Sequence, residues 1–138
     1  MKKIIVLFLC IPLLSFQFNK GVTDFVGKWT GEDNGQVGSI VFDEEGYASI
    51  EVGGEILGGK NFELNGKKGS MTYEINTNAK PIEVDFVIKI QETGEVKKMF
   101  GIAEFKDKNN MIFALGFTGV RPTEFNDNNA INLKRESK

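Results

Sequence analysis

The sequence predicts an all-β chain, folded as an antiparallel up-and-down barrel of about eight strands. Three observations carry this. Beyond residue 30 the apolar residues recur with a period of two rather than 3.6. Short segments rich in Gly, Asn and Asp separate the apolar runs. No stretch of the chain carries a convincing helical period, a linker or a low-complexity tract.

The first element is not part of the barrel. Met1-Lys2-Lys3 precede a mostly apolar run from Ile4 to Phe16. That run falls short of the ~20 residues a membrane-spanning helix needs, and it matches the basic and apolar regions of a secretory signal. Pro12 disfavours a long helix there. Residues 1–18 are therefore read as a signal peptide, with cleavage between Ser15 and Lys20, and residues 19–138 as one barrel domain. A retained anchor or a buried N-terminal helix are the alternatives. Cys10 lies inside the apolar run, so it leaves with the peptide. The expected location is periplasmic or extracellular. Lys2 and Lys3 leave too, so 17 basic side chains fall to 15 against 19 acidic ones, a balance of −4.

The strands follow in order. Val22 to Gly27 offers one short turn, and strands are expected at 26–31, 36–43, 46–53 and 60–64. The loop Glu32-Asp33-Asn34-Gly35 and the turn Asp43-Glu44-Glu45-Gly46 separate the first three. Gly53-Gly54 and Gly58-Gly59 flank a crossing read as a flexible loop at the barrel mouth or a bulge. Asn65-Gly66 is the strongest hairpin signal, because both residues tolerate positive φ. Next comes 68–77, where Met71, Tyr73 and Ile75 alternate with polar residues. The strand at 81–91 is the clearest of all: Ile82, Val84, Phe86, Ile88 and Ile90 share one phase. The run at 110–118 is apolar on both faces, and a final strand is expected at 130–136.

The run at 95–106 defies simple alternation. Val96, Phe100 and Ile102 share a phase with Lys98 and Glu104, whereas Met99, Ala103 and Phe105 take the other. Either a bulge near Gly101 reconciles the halves, or Glu104 points into the barrel, where it would be the one candidate carboxylate for acid–base hydrolysis.

Gly27-Lys28-Trp29 opens the first strand, and Arg135 falls in phase with Ile131 and Leu133 on the last. A guanidinium stacked on an indole explains an arginine on an apolar face. The Gly-x-Trp string resembles the lipocalin signature. In that family the tryptophan closes one barrel end and an arginine from near the last strand packs across it. Gly27, Trp29 and Arg135 are the closure residues this resemblance implies. Arg121-Pro122-Thr123-Glu124-Phe125 before the last strand, with Pro81…Asp85 and Gly101-Ile102…Glu104-Phe105 upstream, is similar to a bacterial family of exported lipocalin-like barrels of unknown function. The resemblance spans roughly 25–136 and implies fold and export, with no catalytic residues to carry over. Physically, Pro122 sets a turn, Glu124 is placed to pair with Arg121, and Phe125 to plug a barrel end.

Composition excludes more than it assigns. The chain holds no histidine and one cysteine, so no Ser-His-Asp triad, Cys-His dyad or His-bearing zinc site can form. Charges are interspersed, with no basic stripe for nucleic acid. The loops Asn126 to Asn129, Asp107 to Asn110 and Asp43 to Glu45 read as turns, since none has calcium-loop spacing. No metal, cofactor or enzymatic activity is expected. Phenylalanine supplies the remaining chemistry: of 12 in the chain, nine lie beyond residue 18. Tyr73, Phe86, Phe100, Phe113 and Phe117 are the candidate interior residues for a small lipophilic ligand bound non-covalently. The alternative is a solid-cored barrel that contacts an envelope protein through its surface, favoured by Ile112 and Ala114 on the second apolar face of 110–118.

Overall fold

The structure is a computed structural model that describes residues 21–31, 37–116 and 118–136. The expected signal peptide, Cys10, the 32–35 loop and Phe117 lie outside the described residues.

Among the described residues, alternation is realised as one antiparallel sheet of ten strands rather than about eight: the nine expected runs and one more. A 3-10 turn, Val22–Phe25, leads into β1 (Gly27–Gly31), β2 (Val37–Phe42), β3 (Ala48–Val52), β4 (Glu55–Gly58) and β5 (Phe62–Leu64). Then come β6 (Lys67–Asn76), β7 (Ile82–Ile90), β8 (Val96–Asp107), β9 (Asn110–Gly116) and β10 (Ala130–Arg135). The added strand is β4. Gly53 and Gly54 both adopt left-handed φ, 59° and 85°, and form a two-residue turn that folds β4 back on β3. The segment read as a mouth loop is thus a hairpin arm. Asn65 and Gly66 turn β5 into β6 in the same way, at φ 54° and 80°.

The strand order is β4-β3-β2-β1-β10-β9-β8-β7-β6-β5, so the sheet is a meander curled until its chain ends pair. One seam is the β1–β10 ladder, with Trp29 opposite Arg135 and Gly31 opposite Leu133. The other edge, between β4 and β5, has no ladder. There the barrel nearly closes by isolated bonds: Met71 N–H donates to the Gly59 carbonyl at 2.9 Å, and Tyr73 N–H to the Gly46 carbonyl at 3.2 Å. A bridge pairs Tyr47 with Thr72. Short β4 and β5 leave little unpaired edge.

The period-two faces sort cleanly. Val84, Phe86, Ile88 and Ile90 of β7 and Met71 of β6 are buried in one core with Trp29, Ile40, Phe42, Ile50 and Phe113. Each such side chain taken from water contributes ~1.5–3 kcal/mol to holding the curl.

The conflict in β8 resolves without a bulge near Gly101. Its register against β7 runs unbroken from Val96 opposite Lys89 to Ala103 opposite Ile82. Met99, Ala103 and Phe105 pack on the core. Phe100, Ile102 and Glu104 therefore share the outer face, and Glu104 is exposed rather than inward. The alternation looked broken because two outer positions, Phe100 and Ile102, are apolar.

Candidate functional site

Inside the barrel, aromatic rings touch in an unbroken series. Trp29 meets Phe105 at 5.9 Å, Phe105 meets Phe25 at 4.9 Å, and Phe25 meets Phe42 at 5.6 Å. Phe42 stacks on Phe86 at 5.9 Å, and Phe86 lies 6.2 Å from Phe113. Offset and edge contacts of this kind add to burial. Of the interior candidates, Phe86 and Phe113 are fully buried within this series. Tyr73 joins it edge-on to Phe42 at 5.0 Å. Its hydroxyl donates to the Asp43 carbonyl at 2.8 Å. Burial first, and the Asp43 charge second, raise the Tyr73 phenol above its ordinary value.

Phe100 needs correcting: it is not an interior residue. It stands on the outer face opposite Asp85 and Gly116, with the Arg121 guanidinium 5.0 Å from its ring centre.

At one end of the barrel, the Arg135 guanidinium lies 4.2 Å from the Trp29 ring centre. The indole N–H donates to the Phe25 carbonyl at 2.9 Å. Arg135 donates to the carbonyls of Val26, Asp24 and Lys108 at 2.7, 2.6 and 3.2 Å. One arginine thus gathers the 3-10 turn, β1 and the β8–β9 turn. Gly27 is required beneath it: φ is 137°, and a Cβ there would lie 2.9 Å from Arg135 Nη1.

The segment from Thr118 to Asn129 forms a strap over the outer face. Arg121 grips Asp85 with both terminal nitrogens, at 2.6 and 3.2 Å, and donates to the Gly101 carbonyl at 3.1 Å. Its Nε lies 3.7 Å from Glu83. The hydrogen bond to Asp85 raises the Arg121 pKa, against the opposing effect of burial. So Arg121 pairs with Asp85, and not with Glu124 as the local spacing suggested. The Val120 carbonyl and Pro122 press on Gly116. On the outer face, beside the Phe100 and Gly116 that the strap touches, Ile102 and Ala114 are 1% and 0% exposed although they face away from the core. The second apolar face of β9 is thereby explained. No local spacing or periodicity pairs Arg121 with Asp85, which lies 36 positions away, although both stand in motifs of the family the chain resembles. The one local signal was apolarity on the outer phases of β8 and β9.

The strap ends in a turn built from its own amides. Asn126 Oδ1 accepts the N–H groups of Asn128 and Asn129 at 2.8 and 2.9 Å, and Asn129 Oδ1 accepts that of Asn126 at 2.8 Å. Asp43 and Asp107 accept backbone N–H groups in the same manner. Among the described residues, no three His, Cys, Asp or Glu cluster to hold a metal ion. Phe125 does not plug a barrel end: with Ile112, Ala130 and Asn132 it lines an open cleft of about 290 Å³ on the outside.

Compared with known proteins, the chain matches no family model, no curated protein and no solved structure.

Proposed function

We propose that this chain is an exported, non-catalytic scaffold: a lipocalin-like barrel filled by its own side chains, acting through its outer surface. The aromatic series from Trp29 to Phe113 carries this reading. Rings in mutual contact across the interior support a packed barrel, since a barrel of this size is either filled by side chains or holds one small ligand. The Trp29–Arg135 stack supports the lipocalin-like assignment, and the basic and apolar N-terminus supports export. The absence of histidine and the outward position of Glu104 support the lack of catalysis. The partner is then a protein or polymer of the envelope.

Native mass spectrometry of the protein purified from its own envelope tests this. The expected result is the mass of the bare chain. A stoichiometric retained lipophile would overturn the reading.

One observation favours a second reading, a small lipophilic ligand bound inside. Val52, Phe62, Leu64 and Tyr73 pack on the core yet are only partly buried. They belong to β3, β5 and β6, around the unladdered edge of the sheet. A ligand entering there would cover them and reach Phe86.

A further inference from the structure

Beside the outer cleft at Phe125 lies a second cleft of about 300 Å³, lined by Asp107, Asn110, Met111 and Leu133, and Lys106 and Asn132 line both. Lys106 Nζ reaches from β8 across β9 to donate to Asn132 Oδ1 on β10 at 2.8 Å. The two clefts thus flank this Lys106–Asn132 bridge and together make a groove over β8, β9 and β10. Its floor is apolar, from Ile112 and Ala130, and one wall is the Phe125 ring. Its rim carries Asn126 and Asp127 at one end, and Asp107 and Asn110 at the other.

Three properties narrow the occupant. The ammonium of Lys106 is offset by the carboxylates of Asp107 and Asp127, so the groove has no excess positive charge to hold a phosphate or a polyanion. Amides, an ammonium and carboxylates on the rim supply donors and acceptors together, which suits hydroxyl groups that do both. An aromatic wall and an aliphatic floor suit a flat C–H face. A neutral sugar ring presents such a face with hydroxyls around its edge, and two adjoining clefts fit more than one ring.

The ring that would stack is already positioned. The carbonyl of Glu124, just before Phe125, accepts from Asn129 Nδ2 at 3.0 Å. The N–H of Asn126, just after it, donates to Asn129 Oδ1 at 2.8 Å. Upstream, Arg121 holds the strap to Asp85. Little ordering is left for binding to cost.

We propose that this groove binds a short neutral oligosaccharide, with Phe125 stacking on one ring and Lys106, Asn126, Asp127 and Asn132 addressing hydroxyls. The proposal rests on the scaffold reading in that it names a polymer partner for the outer surface.

The test is saturation-transfer NMR on the full chain with cellotriose, chitotriose and maltotriose, and with a blocked hexathreonine peptide as the competing class. At least one trisaccharide is expected to receive saturation. Phe125→Ala should weaken it about tenfold and Phe125→Tyr should restore it. Asp127→Ala, at the exposed rim, provides a second variant that leaves the strap's anchors intact, and it should also weaken binding. Ile56→Ser, on the exposed face of β4, should leave it unchanged. No transfer to any trisaccharide, transfer that survives both Phe125→Ala and Asp127→Ala, or transfer to the peptide alone would each overturn the proposal. A lipophile retained in native mass spectrometry would sink the scaffold reading instead, and the two failures are distinguishable.

Discussion

Arg121 and Asp85 meet fork to fork, 36 positions apart in the chain, and their contact holds a strap against the outside of a barrel. Their side chains are 26% and 18% exposed, so the pair is partly shielded from water. Arg121→Gln removes the fork and leaves Asp85 and the Gly101 carbonyl short of a donor. The expected cost is about 1–3 kcal/mol, and limited proteolysis between Thr118 and Phe125 should accelerate while the Trp29 signal in near-UV dichroism stays. The hydrogen bond to Asp85 raises the folded pKa of Arg121, so its contribution is complete below the ordinary guanidinium value and lost only as pH rises beyond it. The strap should therefore resist proteolysis equally at neutral and moderately alkaline pH.

Tyr73 predicts a different alkaline behaviour. Its folded pKa is raised above the ordinary 10.0. Below that value both folded and unfolded phenols are protonated, and the stability is at its full level. Above it the unfolded phenol ionises first, so stability declines as pH climbs from about 10 through the folded pKa. The chain has two tyrosines, so Tyr47→Phe isolates Tyr73 for titration by tyrosinate absorbance. Its midpoint should lie above 10.0, and Tyr73→Phe should flatten the alkaline arm of the urea-unfolding profile.

At the barrel end, Gly27→Ala places a methyl against Arg135 at a φ that L residues rarely adopt. A loss of about 1–3 kcal/mol is expected in urea unfolding. Arg135→Leu strips donors from three carbonyls and the cation from the indole, at a cost of about 3 kcal/mol. The double variant should cost less than the sum of the two, because Gly27→Ala can no longer collide once Arg135 is gone.

Two further substitutions separate interior from exterior. Phe86→Ala removes the centre of the aromatic series, and about 3–5 kcal/mol should go with it. Glu104→Gln, at an exposed outer position, should change stability by less than about 0.5 kcal/mol. Equilibrium unfolding of each variant checks both.

How much of this could be read from residues alone follows from locality. Strand β7 was plain because five in-phase apolar residues, Ile82 to Ile90, all face one core. Strand β4 was hidden, although Gly53-Gly54 is itself a two-residue hairpin signal. With a second glycine pair, Gly58-Gly59, close behind, the three residues between the pairs read as a loop. Phe100 was assigned to the interior because an apolar residue on a strand ordinarily faces the core. Its actual cover, Arg121 on a strap 21 residues further on, is a tertiary fact with no local trace. The stacking of Arg135 on Trp29 was legible for the opposite reason: an arginine in an apolar phase demands an aromatic or anionic partner.

The way the sheet curls has one more consequence. Every ladder but one joins strands that are neighbours in the chain, and the exception, β1 with β10, brings Glu136 N–H to the Lys28 carbonyl at 2.8 Å. No ladder spans β4 and β5, the edge crossed by Gly59 to Asn61. The described sheet is thus a ribbon whose first and last strands are already zipped together, and its one unladdered seam lies in mid-chain. A circular permutant joined by a short linker from Glu136 to Gly21 and opened at Lys60 would keep all nine ladders.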